Sequence, residues 1–594
     1  MSSAMSGGEN KQDGREDQKG DKKGDGKTDR ESVELSGNDI KGLNHIFHKI
    51  KKNHVMLFLI LFVLLGLYLR SYHLDFPYIG YHNMKEHETL DPTYFFVSEG
   101  KYLHKQAFAF FGLDEKTGYH EEYGEVPMIA FAMIPVWLLF GKQLIAARIL
   151  MVLFFLGSII LTYYVVKKLS NNDFVSLLSS FFMTIMPLGI YFGQHVQAES
   201  PALFFMLLAL FFYLDWIEDF NNKKGVFFTL SLAIAGLFKP TFLIVLIPMA
   251  FLFPYKKFYE GFKHHRKEYL KKSGYLILGF LPFILMRALY EFSIVDKSKV
   301  SYRIELLRTF DSGYWSSRMP SFIAYINDNF TFWFFWIAMI GIVLLCFKLR
   351  TKLGKFIIGF MVALIPYILL LSSKIAGHAY YQMPFLPMIC IASAYVFYFS
   401  GTALKQATYR HFALYIPLIL ILFTVPALMD ANDRVYGTLF YGQDYLGQYI
   451  KDHSNPGDRL IAYAPSQEFA ICSYAERRCG SPYNLTHFKR VEQVFNIPYV
   501  VISVDEWERV RSDPEVFRYI QQNYHLELVG GIVQGNQIVP ITFVLQKPGP
   551  FNISIISSQQ PRLAVEYDLR YREGNSWIYK KTKIPFYVVE NQLQ

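Results

Sequence analysis

Charge is scarce in this chain: 19% of its 594 residues are Asp, Glu, Lys or Arg, against 52% hydrophobic and 17% aromatic. That balance excludes an ordinary soluble domain and points to the membrane class. Neither a P-loop nor a dinucleotide fingerprint occurs, so no nucleotide is expected at its site. Cysteine is nearly absent as well. Of the four present, Cys346 and Cys390 lie within or beside apolar runs, which leaves Cys472 and Cys479 as the pair that an oxidising compartment can join. On one continuous helix these two would stand too far apart, so a disulfide requires a break near Ala475 to Arg478. Apolar side chains are few in residues 1–50 and almost absent up to Ser32, where Gly, Ser, Lys, Asp and Glu dominate, and no signal-peptide core or cleavage site is found. Such a segment cannot offset its ordering entropy, and a disordered cytoplasmic tail is expected there.

What the chain does have is apolar runs of bilayer length. A hydrocarbon core needs roughly 17 to 25 residues per helix, and eleven crossings are expected, at about 55–70, 144–166, 173–190, 202–217, 226–238, 241–254, 274–291, 331–347, 355–372, 382–400 and 412–428. With a cytoplasmic N-terminus, the loops holding Lys167 and Lys168, Lys223 and Lys224, the run Tyr255 to Lys272, Lys348 to Lys355, and Lys405 with Arg410 all fall inside, in keeping with the positive-inside rule. The net charge of +10 is thereby a matter of topology rather than of nucleic acid. The count requires that PMIAFAMIPVWLLFG, residues 127–141, lie in the interface instead of crossing. The first outer loop then covers 71–143 in a transmembrane domain of 51–430. An extracytoplasmic α/β domain is expected over 431–550, from strands alternating with helices and a hairpin in LELVGGIVQG and QIVPITFVLQ. A β-rich segment over 551–594, possible as a separate flap, completes the chain.

Under this topology the polar residues at helix mouths gather on one side: Glu86, His87, Glu88 and Asp91 in HNMKEHETLD; Glu121, Glu122 and Glu125; Gln194, His195, Gln197 and Glu199 in GQHVQAESP; Lys239 in LFKPTF; and Lys374, His378, Tyr380 and Tyr381 in SKIAGHAYYQMP. A carboxylate held near a hydroxyl acts as general base, and cations stabilise charge on a departing phosphate. Each residue also has a plain structural reading. Outer-loop acids are by default solvated, Lys239 can snorkel, buried histidines are usually structural, and tyrosines form interfacial belts. His82, Glu86 and His87 do not make convincing metal-ligand spacing, and no metal is expected.

In this order, the motifs resemble the GT-C class of integral-membrane glycosyltransferases, in particular the branch containing protein O-mannosyltransferases and the lipid A aminoarabinose transferase. The resemblance covers about residues 50–430. It implies a GT-C fold with about eleven transmembrane helices and an outer C-terminal α/β domain. The family's acidic motif after the first helix corresponds to HNMKEHETL, where Lys85 and Glu86 replace an acid pair, so that Glu86 or Glu88 is the implied base. GEVPMIAFAMIPVWLLFGKQLIAARIL places Glu125 on an acid before proline and Arg148 on an arginine; Glu199, Lys239 and HAYYQMPFLP match later features. The implied reaction is an inverting transfer from a polyprenyl-phosphate-linked sugar to an acceptor hydroxyl on protein, lipid or glycan. Glu86 or Glu88 would act as base, Glu125 would orient donor or acceptor, and Lys239, with Lys374 or His378, would hold the phosphate. Glu199, His195, Tyr381, Asp91 and Arg148 would complete the substrate-binding set. No cofactor beyond the donor is implied. The rivals are an oligosaccharide ligase or oligosaccharyltransferase-like enzyme, a transporter or flippase, and a non-catalytic scaffold.

Overall fold

The computed structural model describes residues 52–594 except 101, 103–105, 109–125, 294–305, 307, 407–414, 466–467, 536, 553, 555–558, 574–575, 577 and 592–594. The N-terminal tail and Glu121, Glu122 and Glu125 therefore lie outside the described residues. Among the described residues six helices are long and apolar enough to cross a membrane, and up to nine if each of three bent pairs counts as one span. Eleven crossings exceed that number. The expected crossings at 226–238 and 412–428 are helical, as Asn222–Phe238 and Tyr415–Tyr436, but neither is among those spans. Helix Met128–Phe140 has 13 residues and reaches only about 20 Å at the α-helical rise, short of a bilayer core.

Burial separates the rim of the bundle from its centre. Asn53–Arg70 exposes Met56, Leu57, Ile60, Leu61 and Leu64, and Arg266–Tyr290 exposes Ile277, Leu278, Ile284 and Leu285. Apolar surface of this extent suits lipid rather than water. Glu199–Asp219 and Ala379–Ala403 run through the packed interior. Prolines and one left-handed residue break the bent pairs: Pro187 starts the second half of Asp173–Ile185 and Pro187–Gln194, which meet at 59°, and Thr331, at φ 60°, separates Gly313–Phe330 from Phe332–Cys346 at 89°. A break inside a membrane frees carbonyls that need new partners. At the first break Arg70, fully buried and stacked on Phe155, supplies them by donating to the carbonyls of Thr184 and Gly189. The close approach needs glycine: a Cβ on Gly193 would stand 2.7 Å from the Arg70 Nε.

The C-terminal domain is one seven-stranded mixed sheet of β1 (Arg459–Tyr463), β2 (Arg478–Gly480), β3 (Tyr499–Ser503), β4 (His525–Gln534), β5 (Gln537–Gln546), β6 (Arg562–Tyr571) and β7 (Lys580–Glu590), in the order β2-β1-β3-β5-β4-β7-β6. Strand β1 pairs parallel to β2 and β3, and the remaining neighbours are antiparallel. Every residue of β3 is buried, as its unbroken β-branched run requires of a strand covered on both faces. The segment from 551 onward is not a separate flap, because β7 pairs with β4 and carries β6 into the same sheet. Helix Ala470–Ala475 stops at Glu476, in the left-handed region at φ 50°, and this turn lets Cys472 and Cys479 form a disulfide across a Cα separation of 6.0 Å.

The first loop joins this domain to the bundle. Gly80 bridges Leu439, the Ile79 carbonyl accepts from the Phe440 N–H at 2.8 Å, and the Phe108 carbonyl accepts from Cys479. Tyr78 and Tyr474 stack at 4.2 Å, and the Arg570 guanidinium covers Tyr72 at 3.4 Å. The loop is thus fixed from both sides, which positions the helix it contains.

Candidate active site

That helix, Met84–Glu99, follows His82, a buried non-glycine residue at φ 57°. A left-handed histidine is uncommon and persists only where its surroundings dictate it. Here the ring lies against those of Tyr81, Phe192, His378 and Tyr380.

Glu86 points into the protein. It is 1% exposed and held by both arms of Arg148, from Nε to Oε1 at 2.9 Å and from Nη2 to Oε2 at 2.7 Å; the Val196 N–H adds a bond at 3.2 Å, and His195 Nε2 stands 3.6 Å away. Burial alone pushes such a carboxyl up, but the guanidinium outweighs it and holds Glu86 down at about 2. Arg148 also donates to the carbonyls of His73, Leu74 and Phe76. Three donors thus face the carboxylate, which ties the loop to Arg148, and a carboxyl held down in this way is a weak proton acceptor.

Glu88 stands differently. With Lys85, Thr89 and Pro92 it lies on the helix face that walls a narrow cavity of about 70 Å³, closed on the other side by Gln197, Glu199, Lys239 and Tyr381 and by the entry to helix Met128–Phe140. The volume suits a few waters or a phosphate-sized group. Glu88 and Lys85 form an ion pair and stay partly open. Lys239 and Glu199 form a second, buried pair. The Lys239 ammonium also lies 4.5 Å above the Tyr380 ring and 4.4 Å above that of Tyr381, where cation–π attraction adds to the ion pair.

Local sequence explains the placement. Pro240 disfavours helix at the residue before it, and Lys239 is accordingly extended, at φ −157° and ψ 113°, between helix Asn222–Phe238 and a 3-10 turn, Pro240–Val245. His378 repeats this geometry, at φ −144° and ψ 113°, before the 3-10 turn Ala379–Phe385. Glu199 opens helix Glu199–Asp219, where a carboxylate favours the positive end of the helix dipole.

The remaining predicted residues divide. Tyr381 lines the cavity; His195 belongs with the Glu86 brace. His378 stacks with Tyr380 and Tyr381. Burial first, then the charges of Lys85, Lys374 and Lys239, hold its imidazole down at about 3, neutral and unsuited to carrying positive charge toward a phosphate. Lys374 is exposed in the last turn of Lys352–Gly377. Asp91 is not in this cavity. It points to the opposite side of its helix, accepting from the Phe108 N–H at 3.0 Å and the Ser473 hydroxyl at 2.9 Å. Glu125 lies outside the described residues, next to Val126 and Pro127 of the cavity wall. Lys85 is a cavity cation that the motif reading does not single out, although its i, i+3 spacing to Glu88 is the available signal. Arg70, read only as the end of a span, was missed too.

Burial raises the Asp91 carboxyl to about 7. A raised folded value means that the contribution to stability is complete below the ordinary 3.8 and is lost as pH rises through 7. Asp91→Asn, which keeps an acceptor for both donors, is therefore expected to raise the thermal transition at pH 8 relative to the parent and to change it little near pH 4, measured by scanning fluorimetry in detergent.

Among the described residues no three His, Cys, Asp or Glu side chains are placed to hold a metal ion. Glu86, Glu88 and Glu199 are each committed to a cation of the protein.

A sequence-family model described as dolichyl-phosphate-mannose-protein mannosyltransferase matches residues 125–288. A comparison with curated proteins finds no match. Among solved structures, the archaeal oligosaccharyltransferase AglB from Archaeoglobus fulgidus, in complex with an inhibitory peptide and a dolichol-phosphate, is similar at TM-score 0.55 and 11% identity, over 87% of this chain and 80% of that one. The A. fulgidus oligosaccharyltransferase tethered to an acceptor peptide gives 0.52 at 11% identity, over 88% and 80%. ArnT from Cupriavidus metallidurans bound to undecaprenyl phosphate gives 0.47 at 11%, over 82% and 97%. The fold is that of the GT-C class of integral-membrane glycosyltransferases, the class that the sequence resembles.

Proposed function

We propose that the chain transfers a single sugar from a polyprenyl-phosphate carrier to an acceptor hydroxyl, with inversion, at the extracytoplasmic end of the bundle. The observation that carries this reading is the cavity that joins the caged ammonium of Lys239 to the Lys85–Glu88 pair. The carrier phosphate enters between Lys239 and Lys85. As Lys85 turns to it, Glu88 is released to take the acceptor proton. The acceptor oxygen attacks the anomeric carbon, the bond from that carbon to the phosphate oxygen breaks, and polyprenyl phosphate leaves with the electron pair, its charge balanced by the two lysines. Glu125, the residue before Val126 in the sequence, orients donor or acceptor, and Glu86 with Arg148 and His195 acts as a positioning group. The AglB structure contains dolichol-phosphate, and its fold likeness supports a lipid-phosphate ligand here.

Cells lacking the chain are expected to accumulate a polyprenyl-phosphate monosaccharide and to lose one sugar from a surface glycan or glycoprotein, both read by mass spectrometry. The purified chain should release polyprenyl phosphate from that carrier when acceptor is supplied. Movement of the carrier between leaflets in proteoliposomes without its cleavage would instead identify a flippase.

A further inference from the structure

Helix Met84–Glu99 borders a second and larger cavity, of about 400 Å³, between the first loop, helix Met128–Phe140 and the C-terminal helices Gln443–Asp452 and Ala470–Ala475. Successive helical residues turn by about 100°, so Leu90, Asp91 and Tyr94 face this cavity from the side opposite Lys85, Glu88, Thr89 and Pro92. One helix separates the two spaces. The volume falls within the range of about 300–1,000 Å³ usual for small-ligand sites.

The lining combines aromatic rings with hydrogen-bonding groups. Tyr78, Tyr94, Trp137 and Tyr474 contribute rings, and Asp91 is joined by Ser473 and Gln448. Trp137 is 7% exposed, and among the described residues its indole Nε1 has no hydrogen-bond partner. A buried indole N–H ordinarily has one. Charge narrows the occupant. Four acids, Asp75, Asp91, Asp444 and Glu476, line the space against two lysines, Lys142 and Lys451, both of which pair with Glu476, at 2.5 and 2.9 Å. A phosphate or an acidic polymer would meet net repulsion, and a lipid tail would meet too many polar groups. A neutral polyol with apolar ring faces and hydroxyl edges fits both halves of the lining.

We propose that this interdomain cavity is a saccharide-binding site, in which a neutral sugar ring packs on Tyr94 and Trp137 and exchanges hydroxyl hydrogen bonds with Asp91 and the Trp137 indole N–H. Its role as the hold for a non-reacting sugar of a glycan acceptor rests on the transfer reading above; binding itself does not. The raised Asp91 carboxyl, partly protonated near pH 7, can both donate to and accept from a hydroxyl.

The test is saturation-transfer NMR on the full chain in nanodiscs, with methyl glycosides of mannose, glucose, galactose, N-acetylglucosamine, rhamnose and arabinose as probes. At least one should receive saturation, weakened about five-fold by Trp137→Phe, the loss expected for one hydrogen bond, and reduced also by Tyr94→Leu should the first variant fold poorly by its thermal transition. Glu88→Gln should leave the signal intact, so that loss of transfer and loss of sugar binding are separately read. The proposal is overturned by silence from every glycoside, or by a signal that survives both cavity changes, or by one that vanishes instead in Lys239→Gln.

Discussion

Glu88→Gln is expected to reduce sugar transfer by about 10³-fold, within the range of roughly 10² to 10⁴ that a positioned general base contributes, while the chain keeps its thermal transition. The amide preserves shape and hydrogen bonding toward Lys85 but cannot take the acceptor proton. Nothing buried is left uncompensated, because the Glu88 side chain is 16% exposed and that of Lys85 is 30% exposed. Single-turnover release of polyprenyl phosphate by the purified variant, normalised to folded protein, measures it. Glu86→Gln provides the contrast: its loss of activity should follow its loss of folded protein, since Glu86 acts by bracing the loop. A Glu88→Gln enzyme that retains activity within about ten-fold would return the role of base to another acid.

This distinction between two glutamates marks where the sequence stops being readable. Residues two apart on a helix point about 200° apart, so the text HNMKEHETL contains both an inward and a cavity-facing acid without saying which is which. The phase is set by Arg148, 62 positions further on, and by the C-terminal domain gripping Asp91 from the other side. Both are tertiary contacts with no local signature. Lys239 and Glu199 were readable for the converse reason. A proline one or two positions later ends or starts a helix locally, and a polar residue at such a point in an apolar run must sit at a mouth or be paired. The ion pair between them combines both outcomes.

The same division holds for the fold. Spans of eighteen residues or more are visible as apolar runs, whereas breaks at Met186, Pro254 and Thr331 join shorter helices into bent pairs, so that counting crossings from hydropathy becomes ambiguous. Strands and helices do alternate after residue 440, and the β4–β5 hairpin falls on LELVGGIVQG and QIVPITFVLQ, where period and turn chemistry put it. Pairing of β7 with β4, from Leu528 with Glu590 to Ile532 with Phe586, is a long-range choice that periodicity cannot express.

Removing Arg148 should have the largest effect on stability. In Arg148→Ala the carboxylate of Glu86 stays buried at 1% exposure without its counter-ion, and breaking a buried pair in this way costs about 3–5 kcal/mol. Three loop carbonyls lose a donor at the same time. Arg148→Met combined with Glu86→Leu removes both charges, so the double variant should melt above Arg148→Ala despite carrying more changes. The pH dependence should also change sign. In the parent, the depressed carboxyl gives stability that is complete above 4.5 and is lost as pH falls toward 2. Without the guanidinium, burial governs and raises the carboxyl, so the contribution becomes complete below 4.5 and is lost as pH rises. Acidifying from pH 7 to 5 should therefore stabilise Arg148→Ala relative to the parent. Thermal transitions of both proteins across that interval decide it, and parallel curves would mean that Glu86 does not depend on Arg148 for its charge.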